Sequence, residues 1–141
     1  MIILDTDHLS VLFDTRHRKR PLLQNKMQAL TGEEFATTIV TVEEQCQGWL
    51  NLIHQVVDPE RQVSGYNRLL AYLDFLNGWR ILPFEARAAA ECVRLRKAKI
   101  RIGSQDLKIA SIAIVHGALL LSANLRDFRK VPHLRVECWI D

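Results

Sequence analysis

Clustered cysteine is missing from this chain. Its three cysteines, Cys46, Cys92 and Cys138, stand far apart with no Cys-x-x-Cys, and no His or Cys pair has the spacing of a zinc site. A scattered, odd count points to reduced thiols and a cytoplasmic protein rather than a disulfide scaffold. Long hydrophobic runs are missing as well. No segment approaches the roughly 20 apolar residues of a membrane span, so no membrane association is expected. No basic residue precedes the opening apolar run, which argues against a secretory leader. Glycine and proline are scarce, at 6 and 4 in 141 residues. No repeat, low-complexity tract or linker divides the chain, so one domain over residues 1–141, large enough for a proper core, is expected. Neither charge dominates: 19 Lys and Arg stand against 16 Asp and Glu, a net +3 that permits an anionic partner without requiring one.

What is present begins with Met1-Ile2-Ile3-Leu4-Asp5-Thr6-Asp7. A continuous apolar run of this kind reads as a strand buried on both faces in a parallel sheet. It ends in an acid, where open α/β sheets bind their ligands. Asp7 is then expected to cap a short helix carrying Leu9, Leu12 and Phe13. Pro21 suits the start of a second helix ending near Thr31-Gly32. Phe35 to Val40 reads as strand two, and Thr41 with Glu44 as a capping box opening the next helix. Asp58-Pro59 breaks that helix, and another runs from about Glu60 to Leu76. Strand three is Trp79–Leu82, followed by helices over Phe84–Lys97 and Gln105–His116. Strand four is Ala118–Ser122, then comes a loop, and a last strand covers Leu134–Trp139. Alternating strands and helices argue an α/β fold with a parallel sheet covered on both faces. Right-handed crossovers leave few orders. An order of about 3-2-1-4-5 would bring Asp5 and the 124–127 loop together.

Four acids, Asp5, Glu44, Asp106 and Asp127, then fall near one edge of the sheet. Two carboxylates about 4 Å apart repel by roughly 4 kcal/mol at an effective dielectric of about 20. Gathering four requires a cation or raised pKa values. An all-oxygen donor set suits Mg²⁺ or Mn²⁺, and such an ion can polarise a phosphoryl oxygen and acidify a water. Each acid also has a plainer role. Glu44 can complete the capping box, Asp106 can favour a helix N-terminus, and Asp127 can be a loop residue or cap. Asp5 has the weakest such role, because a carboxylate ending a buried strand is costly without a partner.

Four blocks carry a resemblance. Ile3-Leu4-Asp5-Thr6-Asp7, Ile39 to Gly48, Gly103 to Ala110, and Leu121 to Phe128 resemble, in order, the acidic blocks of the PIN-domain ribonucleases, in particular the VapC-type toxins of bacterial and archaeal toxin–antitoxin pairs. In the second block a Thr, a Glu three residues on and a Gly four beyond recur, which selects Glu44 over Glu43. The fourth block departs most: many relatives carry Asp where this chain has Asn124, and Thr is common in place of Ser122. The resemblance implies a PIN-type three-layer α/β/α sandwich with a central parallel sheet, usually a homodimer. It implies a Mg²⁺- or Mn²⁺-dependent endoribonuclease with Asp5, Glu44, Asp106 and Asp127 as catalytic acids. Asp5 and Asp106 would be direct ligands, with Asp127 or Asn124 completing the site. Glu44 would bind a second ion or position a water that attacks phosphorus, leaving a 5′-phosphate and a 3′-hydroxyl. Thr6 and Ser122 would orient ligands or bond a phosphate oxygen, unless they merely cap backbone.

Two basic stretches, Arg16–Arg20 and Arg94 through Arg101, are candidates to hold RNA. Arg94, Arg96 and Lys97 are singled out because their stretch leads towards Asp106. A solvated face is the plainer alternative. An antitoxin protein is the implied partner, and the apolar helices around Leu9–Phe13, Leu22–Leu30 and Val63–Leu76 could form its groove or equally be core or dimer faces. Trp49 and Trp79 read as core rather than base-stacking platforms. Two rival functions remain. A non-catalytic RNA- or protein-binding module would keep the fold without cleavage, and Asn124 is its only support. A haloacid-dehalogenase-type phosphatase would use Asp5-Thr6-Asp7, but it needs a late Lys and an acidic pair that the chain supplies poorly.

Overall fold

Five short strands and seven helices alternate along the chain in this computed structural model, which describes residues 1–141. The strands are β1 (Ile2–Leu4), β2 (Phe35–Thr38), β3 (Arg80–Leu82), β4 (Leu119–Leu121) and β5 (Arg135–Glu137). The helices are α1 (Thr6–Phe13), α2 (Arg20–Gln28), α3 (Ile39–His54), α4 (Pro59–Leu76), α5 (Ala86–Lys97), α6 (Ser104–Val115) and α7 (Leu125–Phe128). All strands join one sheet in the order β3-β2-β1-β4-β5, and every pairing is parallel. Ile3 stands opposite both Ala36 and Leu120.

The period-two alternation of β1 divides the core. Ile3, Ala36 and Leu120 face one side and pack with Leu95 of α5, with Ile109 and Ile112 of α6, and with Phe128. Ile2, Leu4 and Leu121 face the other, against Val11 and Leu12 of α1 and Leu23 of α2. Two helical layers therefore cover the sheet, and its strands read as unbroken apolar runs because neither face meets water. Full burial of Ile3 and Leu4 contributes about 2 kcal/mol each. A third cluster, Leu9, Tyr72 and Leu76 with Phe13, Trp49 and Phe75 around it, ties α4 to α1 and α3. The chain leaves β1 for β2 and β3 on one side and reaches β4 and β5 on the other. The order reverses between β1 and β4, which makes their carboxyl ends the expected ligand site.

Several local expectations shift. The N-cap of α1 is Asp5, not Asp7: its side chain accepts from the Thr6 amide, so the helix starts directly at the strand's end. The N-cap of α3 is Thr38, whose hydroxyl accepts from the Thr41 amide at 3.0 Å. Ile39 and Val40 are β-branched and read as strand, yet they form the helix's first turn, where Val40 is buried in the core. Pro59 starts α4 rather than only breaking α3. The 123–128 loop contains the single turn α7. The apolar stripe Val63, Tyr66, Leu70 and Leu73 has helical spacing but points outward, with Leu70 60% exposed. The buried side of α4 is instead made by Tyr72 and Leu76.

Candidate active site

Asp5 joins β1 to α1, and its backbone amide bonds the Leu121 carbonyl of β4 at 2.9 Å. That bond sets the acid between the two central strands. Its carboxylate accepts from the Thr6 amide at 2.7 Å and from the Ser122 hydroxyl at 2.9 Å. Ser122, just past β4, is itself fully buried.

Glu44 reaches the same place from α3. With Thr38 as the cap, Glu44 lies beyond the first turn and closes no capping box, so its plainer role falls away. The Thr6 hydroxyl stands between the two acids, 3.3 Å from Glu44 Oε2 and 3.4 Å from Asp5 Oδ1. One hydroxyl proton serves one of them at a time. Glu44 Oε1 is buried without any hydrogen-bond partner.

Asp106 enters from the first turn of α6. The Asn124 amide nitrogen lies 3.1 Å from both Asp106 Oδ2 and Asp127 Oδ2, and the Asn124 backbone amide donates to the Ser122 hydroxyl at 3.0 Å. In this arrangement Asn124 serves the acids as a donor. Asp127 also pairs with Lys130 at 3.3 Å. All seven candidates, Glu44, Thr6, Asp5, Ser122, Asn124, Asp106 and Asp127, are thus joined in one hydrogen-bonded series.

The electrostatics follow from crowding and burial. Burial pushes the Asp5 carboxyl above its ordinary range, and the charges of Asp106 and Asp7 add to it. Glu44 is raised by burial, then by Asp5 and Asp106. Asp106 is raised by burial, with Asp127 and Asp7 contributing. Asp127 is lowered by its bonds to Asn124 and Lys130. As they stand, no three Asp, Glu, His or Cys side chains are gathered closely enough to hold one ion among them. The donor set is nonetheless all oxygen, three of its acids carry raised pKa values, and a buried Glu44 oxygen lacks a partner. That donor set suits a hard divalent cation, which, drawn among the acids, would relieve the crowded charges and the unpartnered oxygen.

Arg94, Arg96 and Lys97 are exposed in the last turn of α5. Arg94 pairs with Glu91 one turn back, and none of the three bonds a site acid. A cleft of about 890 Å³ opens beside the carboxylates, lined in part by Thr6, Asp7, Glu44, Gln45, Trp49 and Arg68. The sequence reading missed Gln45, Arg68 and the influence of Asp7. Only Gln45 had a signal, its place beside Glu44. Trp49 and Trp79 are both half-buried and pack against core residues as expected, and Trp49 also forms part of the cleft wall.

Comparison with known proteins bears on the family and the fold. The family model for the PIN domain matches residues 2–134. Ribonuclease VapC1 of Rickettsia felis is 36% identical over 140 residues, which cover 96% of this chain and 93% of that protein. Among solved structures, VapBC2 from Rickettsia felis bound to a DNA fragment from its promoter superposes with a TM-score of 0.69 at 23% identity, covering 99% of both chains. DNA-bound VapBC from Salmonella typhimurium superposes with a TM-score of 0.71 at 21% identity, over 98% of this chain and 97% of that one. At such identities these two structures speak for the fold.

Proposed function

The chain belongs to the PIN-domain family, and from that premise we propose that it is a divalent-metal-dependent endoribonuclease, the toxin of a toxin–antitoxin pair. The observation that carries this reading is the hydrogen-bonded series running from Glu44 through Thr6, Asp5, Ser122 and Asn124 to Asp106 and Asp127. Three of its acids hold raised pKa values, a state that a cation would relieve.

Asp5 and Asp106 are the proposed direct ligands, with Asp127 or Asn124 completing the set. Mg²⁺ or Mn²⁺ bound there would polarise a phosphoryl oxygen and acidify a nearby water. Ser122 and the Thr6 amide hold the Asp5 carboxylate in one orientation. The Thr6 hydroxyl donates to Asp5 or to Glu44, and the two protons of the Asn124 amide bridge Asp106 and Asp127. Glu44, which reaches the same place from α3, positions the water that attacks phosphorus and takes its proton. The products carry a 5′-phosphate and a 3′-hydroxyl. Arg94, Arg96 and Lys97 supply backbone contacts that carry no sequence information.

On this reading the protein works in the cytoplasm as a homodimer, and a cognate antitoxin covers the cleft. The outward apolar stripe of α4 supports a protein partner.

The test is cleavage of total cellular RNA by the purified chain, freed of antitoxin, with Mg²⁺ or Mn²⁺, with a chelator, and as Asp5→Asn. The expected result is cleavage by the parent alone, with metal alone, leaving 5′-phosphate ends. A folded, metal-loaded parent that binds RNA and never cuts it would replace this reading with the binding module. Equal cutting by Asp5→Asn would remove Asp5 from the chemistry.

A further inference from the structure

Assigning Glu44 as the acid of α3 leaves its neighbour Glu43 without a part in the reaction. Glu43 is exposed, and its Oε1 accepts from the Gln105 amide nitrogen at 2.6 Å, across 62 positions of sequence. Gln105 Oε1 accepts in turn from Lys108 Nζ at 3.1 Å, one turn further along α6. A carboxylate only accepts and an ammonium only donates. The Gln105 amide is therefore fixed: turned over, it would set oxygen against carboxylate and nitrogen against ammonium. Lys108 forms no ion pair with Glu43, so Gln105 carries the contact between them. The Glu43–Gln105 bond is the one hydrogen bond that joins α3 to α6.

Its place in the chain gives this bond a bearing on the site. Glu43 and Glu44 are consecutive in α3, and Gln105 and Asp106 are consecutive in α6. Glu44 and Asp106 are each held to the catalytic series by a single hydrogen bond, to Thr6 and to Asn124 respectively. The charges of Asp5 and Asp106 both act on Glu44, and like charges held close together repel. Without an ion, that repulsion drives α3 and α6 apart at this end. The Glu43–Gln105 bond resists it, and a charged acceptor makes such a bond short and strong. The series from Glu44 round to Asp106 is otherwise open. This bond joins its two ends into a ring by way of two peptide links.

We propose that the Glu43–Gln105 bond is a tie that holds Glu44 and Asp106 at a spacing a cation and its water can bridge, which makes Glu43 and Gln105 positioning residues of the reaction. The proposal rests on the ribonuclease reading above. Neither residue touches the ion or the phosphate; both act through the acid next to them. Glu43 is exposed and Gln105 half-buried, and the apolar packing of α3 on α6 runs separately through Val40, Leu107 and Ala110. Loss of the tie therefore shows in ion binding rather than in folding. Partners that orient metal-holding carboxylates are worth roughly 10–100-fold in metal affinity.

The test is Mn²⁺ binding, measured by calorimetry on the antitoxin-free chain without RNA. Gln105→Glu sets two carboxylates against each other and should weaken Mn²⁺ binding by about tenfold. Charge alone predicts the opposite sign, since an added carboxylate near the site attracts the ion. Gln105→Ala removes the tie without adding charge and should weaken binding as well. The exchanged pair, Glu43→Gln with Gln105→Glu, has the parent's net charge and again sets an amide donor against a carboxylate, so it should recover most of the parent's affinity. Urea midpoints without ion should stay close to the parent's throughout, because the pair lies outside the core. The Mn²⁺ concentration for half-maximal RNA cleavage should rise in Gln105→Glu by the same factor as the binding constant and fall back in the exchanged pair. Binding as tight as the parent's in either single variant overturns the tie and leaves the ribonuclease standing. So does an exchanged pair that folds and still binds Mn²⁺ as weakly as Gln105→Glu. A parent that binds no Mn²⁺ and cuts no RNA overturns both readings together.

Discussion

The Ser122 hydroxyl donates to Asp5 Oδ2 at 2.9 Å although 117 positions separate the two residues. The contact exists because β1 and β4 are sheet neighbours, with Leu4 opposite Leu121. It favours the charged carboxylate against the burial that raises its pKa. Ser122→Ala should therefore raise the Asp5 pKa further and move the acid limb of the pH–activity profile to higher pH. Loss of the hydroxyl also costs about 1 kcal/mol of stability. Ser122→Thr keeps the donor and should restore the limb. A limb that stays in place in Ser122→Ala would separate Asp5 ionisation from activity.

Asp5→Asn should stabilise the ion-free protein at neutral pH while abolishing cleavage. The folded chain holds the Asp5 proton above the ordinary value of 3.8. Between that value and the raised one, the folded state binds more protons than the unfolded state. Stability is accordingly lost as pH rises through this window and stays lower above it. The variant should show a higher urea midpoint than the parent at neutral pH without divalent ion, and the gap should close as both are acidified. His8 works in the opposite sense. Burial holds it down at about 4, from an ordinary 6.5, so stability is lost as pH falls between those values. That loss is common to both proteins and cancels in the difference. Mg²⁺ should then raise the parent's midpoint more than the variant's, and equal shifts would exclude Asp5 as a ligand.

Strand order and the acids were legible because both rest on strong local signals. The unbroken runs at Ile2–Leu4 and Leu119–Leu121 mark strands buried on both faces, and such strands belong at the centre of a sheet. The α3 boundary was not legible. Ile39 and Val40 have strand propensity, and a hydroxyl occurs at both Thr38 and Thr41, so the cap could be read at either position. Tertiary packing chose Thr38 by burying Val40. The Gln45 contacts were invisible for another reason: the Thr6 carbonyl and Ser10 reach it only through folding. The outward turn of the α4 stripe was equally hidden, because spacing shows that a stripe exists and not which way it faces.

Two helical glycines should respond oppositely to alanine. A Cβ on Gly65 would lie 2.8 Å from Ile53 Cγ1, and Ile53 is 2% exposed with no room to yield. Gly65→Ala should therefore push α3 and α4 apart and cost about 1–3 kcal/mol. Gly48 in α3 has nothing within 4 Å of the same position, so Gly48→Ala should stabilise by about 0.5–1 kcal/mol through backbone entropy. Urea denaturation of the two variants beside the parent checks both signs, and a stabilised Gly65→Ala would refute the close helix crossing.

The basic end of α5 offers a test that reads charge rather than catalysis. Arg96 and Lys97 are exposed and form no ion pair, whereas Arg94 is engaged by Glu91. If these residues hold the RNA backbone, reversing Arg96 and Lys97 to Glu should weaken binding of a single-stranded RNA in the presence of chelator. It should also flatten the dependence of binding on salt, by a slope of about 0.7 for each phosphate no longer neutralised. Arg94→Ala should do less, because its guanidinium already has a carboxylate partner. The weakening should be uniform across RNA sequences, since groups that bind phosphate do not read bases. Binding and salt slope that both survive the double reversal would assign this end of α5 to solvent and leave RNA capture to Arg16–Arg20.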